Sequence, residues 1–118
     1  MHRFKELKVW HESMLLSKAV YRYCRMLPDG ERYGLISQMQ LSAISISSNI
    51  AEGAGRDSKK SFSYFIQIAL ASSFELETQL LLSKDIYIEI DDDKYNELCA
   101  HLTIVQKMLV NFRKHLFK

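Results

Sequence analysis

The chain has 118 residues with one proline and four glycines, 47% hydrophobic and 25% charged residues, and a net charge of +2. That length argues for one domain spanning residues 1–118, and the composition excludes disordered, collagen-like and low-complexity classes. No apolar run reaches the roughly 20 residues of a membrane span, and Met1-His2-Arg3-Phe4-Lys5 carries no signal-peptide core, so a cytoplasmic protein without membrane contact is expected.

Because helix breakers are scarce, the few present divide the chain. Pro28-Asp29-Gly30, Gly53-Ala54-Gly55 and the stretch from Tyr87 to Asp93 are the three breaks, and they leave four segments. In the first, Leu7, Trp10, Met14, Ser17, Tyr21 and Cys24 share one line, with Leu15, Leu16, Ala19 and Val20 on others. The second offers Leu35, Met39, Ala43, Ile46 and Ile50, and the third Phe62, Ile66, Ala69, Ser73, Leu76, Leu80 and Ser83. The last is the cleanest: Tyr95, Leu98, Leu102, Val105, Leu109, Phe112 and Leu116 alternate by three and four residues, a helical seam. Asp91-Asp92-Asp93 supply N-cap candidates and favourable first-turn charge ahead of it. Strand-like alternation is absent. Four amphipathic helices with short connections imply an all-α, antiparallel up-down-up-down bundle.

The third and first segments carry more apolar residues than one inward stripe can bury, and this excess points to a homo-oligomer. Cys24 and Cys99 read as buried thiols in apolar patterns rather than as a disulfide. Charge is unevenly spread: residues 1–60 carry +4, 61–93 carry −6 and 94–118 carry +4. Such segregation either polarises the surface or reflects ordinary solvated faces.

Catalytic signatures are missing. The histidines His2, His11, His101 and His115 are scattered, no nucleotide-binding glycine loop occurs, and Glu97 with His101 reads as a surface ion pair rather than a metal site. Neither catalytic residues, nor metal ligands, nor a cofactor are therefore assigned. The serines Ser37, Ser42, Ser45, Ser47 and Ser48 read as small side chains that let a neighbouring helix approach. In Asn49-Ile50-Ala51-Glu52-Gly53-Ala54-Gly55-Arg56, Gly53 and Gly55 are suited to end a helix through left-handed backbone. Glu52 faces the negative end of its helix dipole and needs a cation, from Arg56 or elsewhere. Asn49, Glu52, Gly53, Gly55 and Arg56 are thus candidates for a structural network between helices or protomers, the plain alternative being an ordinary C-cap.

Two basic groups are candidates for phosphate contact. Lys18, Arg22 and Arg25 share one helix face, and Arg56, Lys59 and Lys60 lie where the third helix begins and its free N–H groups attract anions. Tyr21, Tyr23 and Tyr33 are candidates for stacking on bases.

Leu7-Lys8-Val9-Trp10, Tyr33-Gly34-Leu35 with Gln38, Ser45-Ile46, Asn49 to Gly53, Gly55-Arg56, and Ala69, Ser72 and Glu75 to Leu80 together carry a family resemblance along nearly the whole chain. The chain resembles the bacterial four-helix-bundle family first known from open reading frames in intervening sequences of large-subunit ribosomal RNA genes. The accessory variability determinant of diversity-generating retroelements is a relative of that family. The resemblance implies a homopentameric barrel of antiparallel bundles. For the retroelement relatives it also implies a basic surface that engages nucleic acid and a reverse transcriptase. Gln40-Leu41 stand here where the family commonly has basic residues, and Glu89 to Asp93 add negative charge. The resulting expectation is a non-enzymatic oligomeric accessory factor that binds RNA or DNA phosphates, the alternative being a protein-binding scaffold with no nucleic-acid contact.

Overall fold

The computed structural model describes residues 2–118. Four helices form, α1 (Lys8–Cys24), α2 (Leu35–Ala54), α3 (Lys59–Ile86) and α4 (Asp92–His115), with short 3-10 turns at Phe4–Glu6 and Asp29–Glu31 and no strand among the described residues. Each helix boundary has a local cause. Pro28 is extended (φ −68°, ψ 154°), which closes the first helical segment and opens the Asp29–Glu31 turn. The Glu31 side chain then accepts the otherwise free amide of Leu35 at 3.2 Å as α2 starts. Ser58 caps α3 by accepting from the Ser61 amide at 3.0 Å, and Asp91 caps α4 by accepting from Lys94 at 2.9 Å.

The helices form an elongated bundle, 46 × 24 × 20 Å, in which α2 packs most extensively on α3, while α1 touches α2 and α4, and α3 touches α4. The seams of α3 and α4 bury as their spacing implies. Phe62, Ile66, Ala69, Ser73, Leu76, Leu80 and Ser83 are all buried, and so are Leu98, Leu102, Val105, Leu109 and Leu116. In α2, Met39, Ala43, Ile46 and Ile50 lie in the core.

Helix α1 departs from expectation. Its inward line is Val9, Ser13, Leu16, Val20, Tyr23 and Cys24, continued by Leu27, whereas Met14 and Tyr21 face outward. Ser13 is buried because its hydroxyl bonds back to the Trp10 carbonyl at 2.7 Å, and Tyr23 because its hydroxyl meets that of Ser83 at 2.7 Å. Satisfied hydroxyls bury cheaply, so a polar residue can sit in the inward stripe.

Gly53 also plays a different part from the one expected. Among the described residues no glycine has positive φ, and Gly55 follows α2 at φ −81°. Gly53 is instead a close-approach point: a Cβ there would lie 2.7 Å from the Phe65 Cβ and 2.8 Å from Phe62 Cδ1. Small residues continue this role along the α2–α3 seam, where the Ser45 and Ser72 hydroxyls meet at 2.8 Å.

Candidate nucleic-acid interface

The two basic groups sit at separate places. Tyr23 meets Ser83, so the end of α1 lies beside the end of α3. Lys59 opens that same helix, about 36 Å away at the helical rise. Lys18 and Arg22 are exposed on α1 and Arg25 just past its end, and Arg56, Lys59 and Lys60 are exposed at the α2–α3 junction. No single phosphate-binding surface unites all six.

The junction group does gather company. The His2 amide donates to the Ala54 carbonyl at 2.8 Å, and the His2 ring lies 5.0 Å from that of Phe62. Phe62 in turn packs at a tilt on Phe112, with ring centroids 5.3 Å apart, and Arg113 Nε donates to Ser63 Oγ at 3.0 Å. These contacts bring both chain termini to the junction. Arg3, Lys5 and Lys8 from the first, and Arg113, Lys114 and Lys118 from the last, therefore join Arg56, Lys59 and Lys60 at one end of the bundle. Among the described residues, only Glu6, Glu52 and Asp57 oppose these nine cations there. The other end is acidic, with Asp29, Glu31, Asp85, Glu89, Asp91, Asp92, Asp93 and Glu97 set against Arg22, Arg25, Arg32, Lys84 and Lys94. The terminal cations were overlooked as site candidates because they lie far from residue 56 in sequence; their signal was the +4 of the last 25 residues.

Within the Asn49–Arg56 segment the bonds fall into two sets. Glu52 Oε1 accepts from Arg56 Nη2 at 2.9 Å, so the dipole-opposed carboxylate finds its cation four residues on, and the guanidinium also lies 4.5 Å over the Phe65 ring. Asn49 Nδ2 donates to the Ser45 carbonyl at 2.8 Å and to its hydroxyl at 3.0 Å, and through Ser45 reaches Ser72 on α3. Gly53 contributes packing and Gly55 the end of the helix.

Of the three tyrosines proposed for stacking, Tyr33 is 87% exposed and Tyr21 outward, but Tyr23 is only 3% exposed. Tyr23 cannot stack on a base: burial raises its pKa, and its hydroxyl is committed to Ser83. Cys24 is a free buried thiol pushed up to about 11 by burial, and Cys99 is also free. His101 pairs with Glu12 across α1 and α4 at 3.4 Å, rather than with Glu97 on its own helix. Among the described residues no cluster of three or more His, Cys, Asp or Glu side chains is arranged to hold a metal, and no helix is long and apolar enough to cross a membrane.

Residues 5–111 match the family model of the 23S rRNA-intervening sequence protein. The chain belongs to that family. A crystal structure of a protein of unknown function from the S23 ribosomal protein family of Bacteroides thetaiotaomicron is similar in fold. The TM-score is 0.79 at 24% identity, over 90% of this chain and 98% of that one. No curated protein matches this chain. The likeness to the Bacteroides structure supports the four-helix fold.

Proposed function

We propose that this protein is a non-enzymatic, homo-oligomeric accessory factor that binds the phosphates of RNA or DNA through the basic end of its bundle. The observation that carries the reading is the convergence of nine Lys and Arg from three stretches of chain against three acids. Lys59 and Lys60 stand in the first turn of α3, where the helix dipole adds to their field. In this reading Arg56, Lys59 and Lys60 contact phosphates together with the terminal cations, and Lys18, Arg22 and Arg25 form a second, separate contact. The helices run antiparallel, up-down-up-down, which the opposed pairs Ser63–Arg113 and Glu77–Gln106 support.

Self-association belongs to the same proposal. Large apolar side chains stand in solvent on every helix, among them Leu15 at 49%, Leu41 at 59%, Tyr64 at 60% and Ile104 at 52% exposed. Five copies, the number the retroelement kinship suggests, would weigh about 69 kDa from a 13.8 kDa chain. A reverse transcriptase is the protein partner that this kinship would add.

Fluorescence anisotropy with a single-stranded RNA, titrated with salt, tests the phosphate reading. Engagement of about four phosphates gives a log–log salt slope near −3. Lys59→Glu with Lys60→Glu should flatten that slope and weaken binding. Absence of RNA and DNA retention at low salt overturns the reading and leaves the protein-binding scaffold, which the apolar groove between α3 and α4 favours. There Phe74 and Val110 stand partly in solvent. Light scattering reads the subunit count, and a lone 13.8 kDa species would remove the oligomer from the proposal.

A further inference from the structure

At the acidic end, residues of α1 and α4 and the turn after α1 line a half-open cavity of about 380 Å³. Its apolar lining is formed by Ala19, Tyr23, Met26 and Leu98, with Met26 partly in solvent. Its rim is polar, with Arg22 from α1 and Lys94, Glu97 and His101 from α4. The volume falls within the roughly 300–1,000 Å³ of small-molecule sites, and an apolar floor beneath a few converging polar groups is their usual make-up.

The rim groups are not equivalent. His101 is held by Glu12, which lies outside the lining, so the imidazole is fixed from behind. With His101 turned toward α1, its own-helix neighbour Glu97 has no ion pair among the described residues. Neither Arg22 nor Lys94 makes an ion pair or side-chain hydrogen bond among the described residues, although the surrounding end of the bundle is rich in carboxylates. Nearby acids are engaged elsewhere: Asp92 with Lys84 at 2.7 Å, Asp91 with the Lys94 amide, and Glu31 with Tyr87. Two unpaired cations thus face one greasy depression from opposite walls.

We propose that this cavity is a binding site for a small organic anion, a carboxylate or phosphate ester on a compact apolar body. The anionic head would lie between Arg22 and Lys94, where a bidentate guanidinium contact is available. The body would cover Met26 and Leu98, and Glu97 would accept from a hydroxyl or amine on the ligand. The site shares Arg22 with the second phosphate contact proposed above, but it stands at the end of the bundle away from Lys59, so its failure leaves the reading of the basic end intact.

Methyl NMR of the methionines reads this directly in the full-length protein, with phenyl phosphate and benzoate as probes. The expected result is a saturable shift of the Met26 methyl by about 10 mM probe, the weak end for ligands of this size, with buried Met39 unmoved as a fold control. Arg22→Gln should weaken binding about fivefold to tenfold while Met39 keeps its position, as expected for loss of a charge-assisted contact. Preference between the two probes distinguishes a phosphate site from a carboxylate site. Three results overturn the proposal: no saturable Met26 shift, an equal response to benzyl alcohol, which has no charge, or an Arg22→Gln titration identical to that of the parent protein.

Discussion

The two ends of this bundle are closed by different physics. At the basic end the closure is apolar and tight: Phe62 lies between His2 and Phe112, and Gly53 lets Phe65 approach the α2 backbone. At the acidic end it is polar: Tyr23 bonds Ser83, Tyr87 donates to Glu31, and Lys84 donates to the carbonyls of Ile88 and Ile90. The apolar end is fixed by shape and by the area removed from water, which neither pH nor salt alters much. The hydrogen-bonded end depends on the protonation of its members and on every partner being present. The end that carries most of the positive charge therefore has a frame closed mainly by packing.

The contrast can be broken most forcefully at Phe62. Phe62→Ala removes a side chain 1% exposed that joins α3, α4 and the N-terminal segment, and should cost about 3–5 kcal/mol in denaturant unfolding. A loss under about 1 kcal/mol would mean that the basic end is not closed by this ring. Next comes Gly53→Val, whose added carbons collide with Phe62 and Phe65; about 1–3 kcal/mol is expected, measured by the same unfolding curves. Helix propensity alone favours valine over glycine, so the sign of that change separates packing from propensity.

The polar end should respond more mildly. Ser83→Ala leaves the Tyr23 hydroxyl buried without its side-chain partner and should cost about 1–3 kcal/mol, with Tyr23→Phe in the Ser83→Ala background recovering part of the loss. Additive losses in that double-mutant cycle would show that the two hydroxyls do not act as a pair. The smallest effect is a pH dependence. The Tyr87 hydrogen bond, followed by the Leu35 amide, holds the Glu31 carboxyl below its ordinary range. A depressed carboxylate contributes stability that is present above its unfolded pKa and lost as pH falls through its folded one, so the loss begins near pH 4.3 and below, roughly the unfolded glutamate value. Glu31→Gln should flatten this part of the stability–pH curve by lowering stability slightly at neutral pH, where the carboxylate contributes, and leaving it nearly unchanged at low pH. An unaltered acid limb would assign the dependence to other carboxylates.

What could be read from the chain alone varied with how each helix buries its polar atoms. The α4 seam from Leu98 to Leu109 and the α3 line from Phe62 to Leu80 are periodic in apolar residues, so periodicity placed them correctly. The same logic put Met14 and Tyr21 on the inward line of α1, because Ser13 counts as polar in sequence and becomes acceptable in the core only once its hydroxyl finds the Trp10 carbonyl. Asp91 was legible as a cap, since capping is local. Gly53 was legible as special but not for the right cause: its neighbour Phe65 belongs to the next helix.

The sequence by itself determined the four helices, their breaks and most of the core, because hydrophobic spacing and capping act over one or two turns. Only the tertiary structure decided which surface carries the charge. Arg3, Arg56 and Lys118 are more than fifty residues apart in succession along the chain, and they share one end because the contacts of His2 with Ala54 and of Arg113 with Ser63 bring both termini to the α2–α3 junction. Electrostatic attraction for a polyanion depends on distance through space, with screening over roughly 8 Å at physiological salt, and that distance is set by packing.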